Sequence, residues 1–110
     1  MAGNSIKRAL GERKIKKLLE AHYEGEVLEK LVSELYPVLD RVGYDGLEQV
    51  AGLSAQVARY SGGTAVRLLE KSPELIDRLL KYGDKELVMK VYGFCRQVAR
   101  DTIFVAARVL

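Results

Sequence analysis

The sequence predicts an all-α chain built from helical repeats. Three observations predict it. Apolar residues recur at i, i+3, i+4 and i+7 through most of the chain, which is the helical period. No run of alternating β-branched and polar residues lies between turn signals, so no strand is expected. The stretch 50–69 also reappears, without a gap, as 91–110, an offset of 41 residues. Val50/Val91, Gly52/Gly93, Gln56-Val57-Ala58-Arg59 against Gln97-Val98-Ala99-Arg100, Ala65/Ala106, Arg67/Arg108 and Leu69/Leu110 are identical between the copies. A fixed period of about 40 marks helical arrays in which each unit buries its apolar face against the next.

The elements follow in order. Ile6, Ala9 and Leu10 share one side of a wheel, and Ile15, Leu18, Leu19 and His22 share another, with Gly11 between them. This predicts a main helix from Glu12 to Tyr23 and a looser lead-in from Ser5 to Leu10, capped by Asn4 or Ser5. Glu24-Gly25 ends it. Val27, Leu28, Leu31, Val32 and Leu35 make a second helical face from Glu26 to Leu35. Pro37 lacks a backbone donor, so it either kinks this helix or opens a short one to Val42. Gly43 to Gly46 reads as a turn with Asp45 as cap. Leu47, Val50, Leu53, Ser54, Val57 and Ala58 carry the next helix.

Ser61-Gly62-Gly63 resembles a breaker, yet the aligned Thr102-Ile103-Phe104 are poor at positive φ. A backbone common to both copies would therefore run helically through the glycines, and a separate helix from Thr64 to Lys71 is the alternative. Ser72-Pro73-Glu74 reads as a helix start, with serine as cap and proline in the first turn. The helix Pro73 to Tyr82 ends at Gly83, and Asp84 caps the last one. Five to seven helices are expected in one domain, 1–110. It divides into a basic N-terminal region (1–24), a helical pair or kinked helix (25–44), a first repeat (45–83) and a second (84–110) that ends inside a unit.

A weaker echo precedes the first copy. Tyr36-Pro37-Val38-Leu39-Asp40-Arg41-Val42 resembles Pro73-Glu74-Leu75-Ile76-Asp77-Arg78-Leu79, each followed by a glycine and a capping aspartate. Over residues 36–110 the period and helix pattern resemble the α-solenoid class, closest in period to HEAT and armadillo repeats. The resemblance implies stacked helical units, as a short solenoid. A compact right-angled helical bundle with a duplicated hairpin is the other architecture. No family signature is present, so no residue role carries over.

Composition narrows the function classes. The chain has 110 residues, 48% of them hydrophobic and 30% charged, a normal balance for a helix-rich domain. No apolar run approaches membrane-spanning length, and the first residues carry no apolar leader. The lone Cys95 suits a reducing cytoplasm. One asparagine and an excess of valine, leucine, glutamate, lysine and arginine resemble a thermophile's composition. The net charge of +3 is uneven. Lys7, Arg8, Arg13, Lys14, Lys16 and Lys17 against Glu12 and Glu20 give +4 over residues 1–23, so the rest sums to −1.

Catalytic and metal constellations are not visible, and neither a cofactor nor a small-molecule substrate is expected. His22 has no convergent partners near it in sequence. Cys95 aligns with Ser54 and is expected to pack in the core. No phosphate-binding glycine motif occurs; Gly62-Gly63-Thr64 could offer backbone donors to an anion but is missing from the second copy. The six tyrosines are expected to pack with their hydroxyls at the surface.

The expected role is a non-enzymatic scaffold or protein-interaction module, as the N-terminal part of a longer array or as a self-associating chain. Leu87, Val91, Phe94, Val98 and Val105 form the stripe of the last helix, and Ile103 and Phe104 fall off it. With the second copy ending mid-unit, Ile103, Phe104, Val105, Val109 and Leu110 are expected to form an uncovered apolar end. The repeated Arg59/Arg100 and Arg67/Arg108 either form ladders facing an acidic partner or pair internally with acids such as Asp101, Glu70 or Asp77. The alternative function is a nucleic-acid module whose Lys7, Arg8, Arg13, Lys14, Lys16 and Lys17 contact phosphates.

Overall fold

A computed structural model describes the backbone of residues 2–109 and the side chains of residues 5–101. Asn4 as a cap lies outside the described side chains. Four helices follow one another: α1 (Ala2–Leu19), α2 (Gly25–Ala58), α3 (Gly62–Leu80) and α4 (Lys85–Val109). The chain is all-α, with no strand among the described residues.

α1 runs unbroken through Gly11, and Ser5 lies within it and is no cap. The glycine serves packing. A Cβ there would lie 2.8 Å from Tyr36 Cε2 of α2, so Gly11 lets the two helices approach closely. α1 ends four residues earlier than its apolar pattern suggests, leaving His22 in an exposed turn and Tyr23 buried beneath α2.

α2 passes straight through Pro37, where no new helix opens. The missing N–H leaves the Ser33 carbonyl without its usual donor, but Ser33 and Pro37 are both exposed and water can take the place. The break comes at Gly43, whose φ of 74° and ψ of −179° reverse the chain. Two arms result, 25–42 and 44–58. They run antiparallel, because Tyr23 at the foot of the first meets Ser54 near the end of the second.

α3 starts at Gly62. Ser61 caps it, its hydroxyl accepting from the Thr64 amide at 3.1 Å and from the Thr64 hydroxyl at 3.0 Å. The helix continues through Ser72 and Pro73, so these residues start nothing. Ser72 is buried; its hydroxyl donates to the Leu68 carbonyl at 2.7 Å and accepts from the Tyr92 hydroxyl at 2.9 Å. Asp84 caps α4 as its position suggests, accepting from the Glu86 amide at 3.0 Å.

The two repeated stretches thus take different backbones. The first breaks at 59–61 between α2 and α3, whereas residues 91–109 lie in one helix. A capping serine followed by two glycines stops a helix; threonine, isoleucine and phenylalanine do not.

Cross-helix contacts set the directions. α1 lies antiparallel to the first arm of α2, with Lys7 3.6 Å from Asp40 and Lys16 3.4 Å from Glu29. α3 runs parallel to that same arm, with Lys30 3.5 Å from Glu70 and Arg41 paired with Asp77. α4 runs parallel to the second arm, where Arg96 reaches Gln49 at 3.0 Å and Lys85 sits against Gly43. The result is a flat body, 56 × 35 × 18 Å, in which α1 and α3 both pack on the first arm and α4 packs on the second. Ile15, Leu31, Leu35, Val42, Val50, Leu69, Ile76 and Val88 form the core where these helices meet.

Candidate interaction surface

The repeat permits a comparison position by position. In the second arm of α2, Val50 is fully buried, Leu53 is 6% exposed and Ser54 is 1% exposed. Their counterparts in α4 are Val91, half-buried, Phe94, 71% exposed, and Cys95, exposed. Val57 is half-buried; its counterpart Val98 is 45% exposed. The first arm and the turn before it cover the first copy, Tyr23 closing over Ser54. No described element covers the same positions of α4.

α4 carries two apolar sides, and the structure chooses the one that sequence analysis did not. Val88 and Tyr92 face the core, together with the half-buried Ala99. The expected core stripe is the outer flank, with Phe94 and Val98 exposed and Leu87 and Val91 half-buried, and the expected burial of Cys95 is wrong for the same reason. A wheel groups residues by side but does not say which side meets the core. Ile103, Phe104, Val105, Arg108 and Val109 lie outside the described side chains, and Leu110 outside the described residues altogether.

Polar contacts hold α4 in this orientation. The Tyr92–Ser72–Leu68 chain ties it to α3. Burial pushes the Tyr92 hydroxyl above the ordinary tyrosine value, the Ser72 contact opposes the shift, and Cys95 adds to it. On the other side Arg96 lies against Gly52, where a Cβ would come within 2.6 Å of its guanidinium carbon. Arg96 donates to Gln49, but its Nε and the Gln56 Oε1 are buried without hydrogen-bond partners among the described residues. This cationic seam was missed. Gly52, a glycine inside an apolar helical run, was its one sequence signal.

Of the repeated arginines, Arg59, Arg67 and Arg100 hold no ion pair among the described residues, and the side chain of Arg108 lies outside them. Arg59, Arg67 and Arg100 are exposed. The acids proposed for them bond elsewhere: Asp101 accepts from Gln97, Glu70 pairs with Lys30, and Asp77 with Arg41.

The basic cluster divides in two. Lys7, Arg8 and Lys16 pair with Asp40, Glu12 and Glu29, and the Arg8 guanidinium also lies 4.9 Å over the Tyr36 ring. Arg13, Lys14 and Lys17 are exposed and hold no ion pair among the described residues. They share one side of α1 with Ile6 and Leu10, which are 61% and 51% exposed. Beside them runs a shallow groove of about 370 Å³, floored by Leu10, Tyr36, Leu39 and Tyr44 and edged by Lys7 and Lys14.

His22 is exposed, and its ring lies edge-on to the Tyr23 ring with centroids 6.5 Å apart. Among the described residues no three His, Cys, Asp or Glu side chains converge as a metal site. No described helix is long and apolar enough to cross a membrane. No protein-family model, curated protein or solved structure matches this chain.

Proposed function

We propose that this chain is a non-enzymatic helical-repeat scaffold of the cytoplasm that binds protein through the open flank of α4. One observation carries the reading. Phe94, Cys95 and Val98 lie in solvent at the positions where the first copy holds Leu53, Ser54 and Val57 inward. An apolar stripe kept at core spacing but left open is what a binding helix offers a partner. The parallel courses of α3 beside the first arm, and of α4 beside the second, support a unit of two helices stacked on its like. In that arrangement each unit covers its neighbour, and the flank of α4 is the side awaiting cover.

The test uses the full chain as bait with Phe94→Asp and Ile6→Asp variants, all checked for native circular dichroism. Partners should bind the wild type and the Ile6 variant and be lost with Phe94→Asp. Identical binding to all three contradicts the reading.

A second reading rests on Arg13, Lys14 and Lys17, the cations of the basic N-terminal cluster that hold no ion pair among the described residues. Three phosphate contacts would give duplex binding a log–log salt slope of about −3. Reversal of all three charges should then abolish binding; retention would dismiss this reading.

A further inference from the structure

The open flank of α4 carries information about its occupant. Leu87, Val91, Phe94 and Val98 alternate in steps of four and three, the spacing of a helix seam that packs against a second helix. The next step of three falls on Asp101, which ends the stripe on the side that holds Lys90, three helical turns before it and of opposite sign. Among the described residues Lys90 has no ion pair, and Asp101 accepts from Gln97 on its own helix, at 3.1 Å. The other edge holds Cys95, midway between them and exposed.

We propose that the occupant is a second copy of this chain, its α4 lying antiparallel on the first about a two-fold axis near Cys95 and Arg96. The inference rests on the reading of this flank as an interface. The charge pattern selects the direction and the register. In an antiparallel pair, residues on the same edge face one another across the seam. Turning the helix about a point between Cys95 and Arg96 brings Lys90 of one copy to Asp101 of its partner, and Asp101 to Lys90. The same turn sets Phe94 within one residue's rise, about 1.5 Å, of the level of Val98 of the other copy, twice, near the centre of the seam. It also brings the two Cys95 thiols together on the opposite edge. One operation therefore pairs both charges, closes the exposed apolar residues and juxtaposes the cysteines. A parallel pair would set Lys90 against the Val88 and Cys95 edge, where no acid stands. A two-fold axis also closes the assembly at two chains, because the same patch serves both.

Arg96 lies close to the axis but on the side facing Gly52 and Gln49, so it stays within its own chain. The flank is free of acids other than Asp101 from Leu87 to Asp101, so no like-charge contact opposes the pairing.

The full chain should be examined by sedimentation equilibrium up to about 100 µM, where a micromolar complex is largely assembled. The wild type should reach twice the chain mass, and Phe94→Asp should remain monomeric with an unchanged helical spectrum. Asp101→Lys, which sets lysine against Lys90, should weaken association about tenfold or more, and the double variant Lys90→Asp/Asp101→Lys should restore it. Mild copper-catalysed oxidation should join the wild type through Cys95 at concentrations that leave Phe94→Asp unjoined. A wild type that stays monomeric at 100 µM overturns the inference, while the capture experiment above still decides whether the flank binds another protein. A dimer that Phe94→Asp leaves intact, or one that the charge exchange fails to restore, overturns the proposed seam.

Discussion

Leu53 and Phe94 occupy the same place in two copies of one segment, and the chain treats them oppositely. Around Leu53 the first arm of α2 folds back at Gly43, and Tyr23 closes the end over Ser54. Around Phe94 the nearest hairpin partner is α3, which is tied to α4 through Ser72 and Tyr92, on the other side of the helix. A repeated apolar pattern therefore does not specify a repeated environment. It specifies a face that can be covered, and what covers it depends on the elements on each side.

The difference can be broken by substitution. Leu53→Ala should cost about 2–5 kcal/mol, because it leaves a cavity in a closed core, whereas Phe94→Ala should change the stability of the dilute monomer by less than about 0.5 kcal/mol. Urea denaturation of both variants at low protein concentration checks this. At high concentration the Phe94 variant should lose the extra stability that association confers.

The next position gives a smaller contrast. Ser54→Ala leaves the buried Tyr23 hydroxyl without its partner and should cost about 1 kcal/mol, while Cys95→Ala should be nearly neutral.

Tyr92 sharpens the account through pH. Burial raises its folded-state pKa above the unfolded value, so its contribution is complete below about pH 10 and is lost as the pH rises from there towards the folded pKa. In that range the unfolded chain releases a proton that the folded chain retains. Tyr92→Phe should therefore flatten the fall in stability above about pH 10, as followed by denaturation at a series of alkaline pH values.

The smallest effect is expected at the paired glycines. Gly93 is helical with nothing within 4 Å of an added Cβ, so Gly93→Ala should stabilise by about 0.5–1 kcal/mol. Gly52→Ala should not gain this, because the new methyl meets the Arg96 guanidinium. Thermal melts of the two variants compare them directly.

Much of the architecture was legible from local chemistry. The helical class, the reversal at Gly43 and the Asp84 cap all follow from residues acting within one turn; at Ser61-Gly62-Gly63 the repeat argued for a continuous helix against the local breaker, and the local chemistry prevails. The misreadings share a cause. Gly11, Pro37 and Ser72-Pro73 carry the local signs of helix ends, yet all lie inside helices. At Gly11 the sign reflects contact with Tyr36, and at Ser72 a bridge to Tyr92, neither of which is local in sequence. The candidate surface was legible as a stripe but not as a surface. Leu87, Val91, Phe94 and Val98 have the spacing of a core, and only the position of Val88 and Tyr92 against the neighbouring helices turns that stripe outward.

The contrast between the copies is most directly tested by thiol labelling of the dilute monomer. Cys95 should react with a maleimide at nearly the rate of the unfolded chain. In the variant Ser54→Cys/Cys95→Ser, the thiol at position 54 should react at least about 100-fold more slowly, the factor set by about 3 kcal/mol of local opening. Equal rates at the two positions would contradict the account, because the second copy would then be no more open than the first.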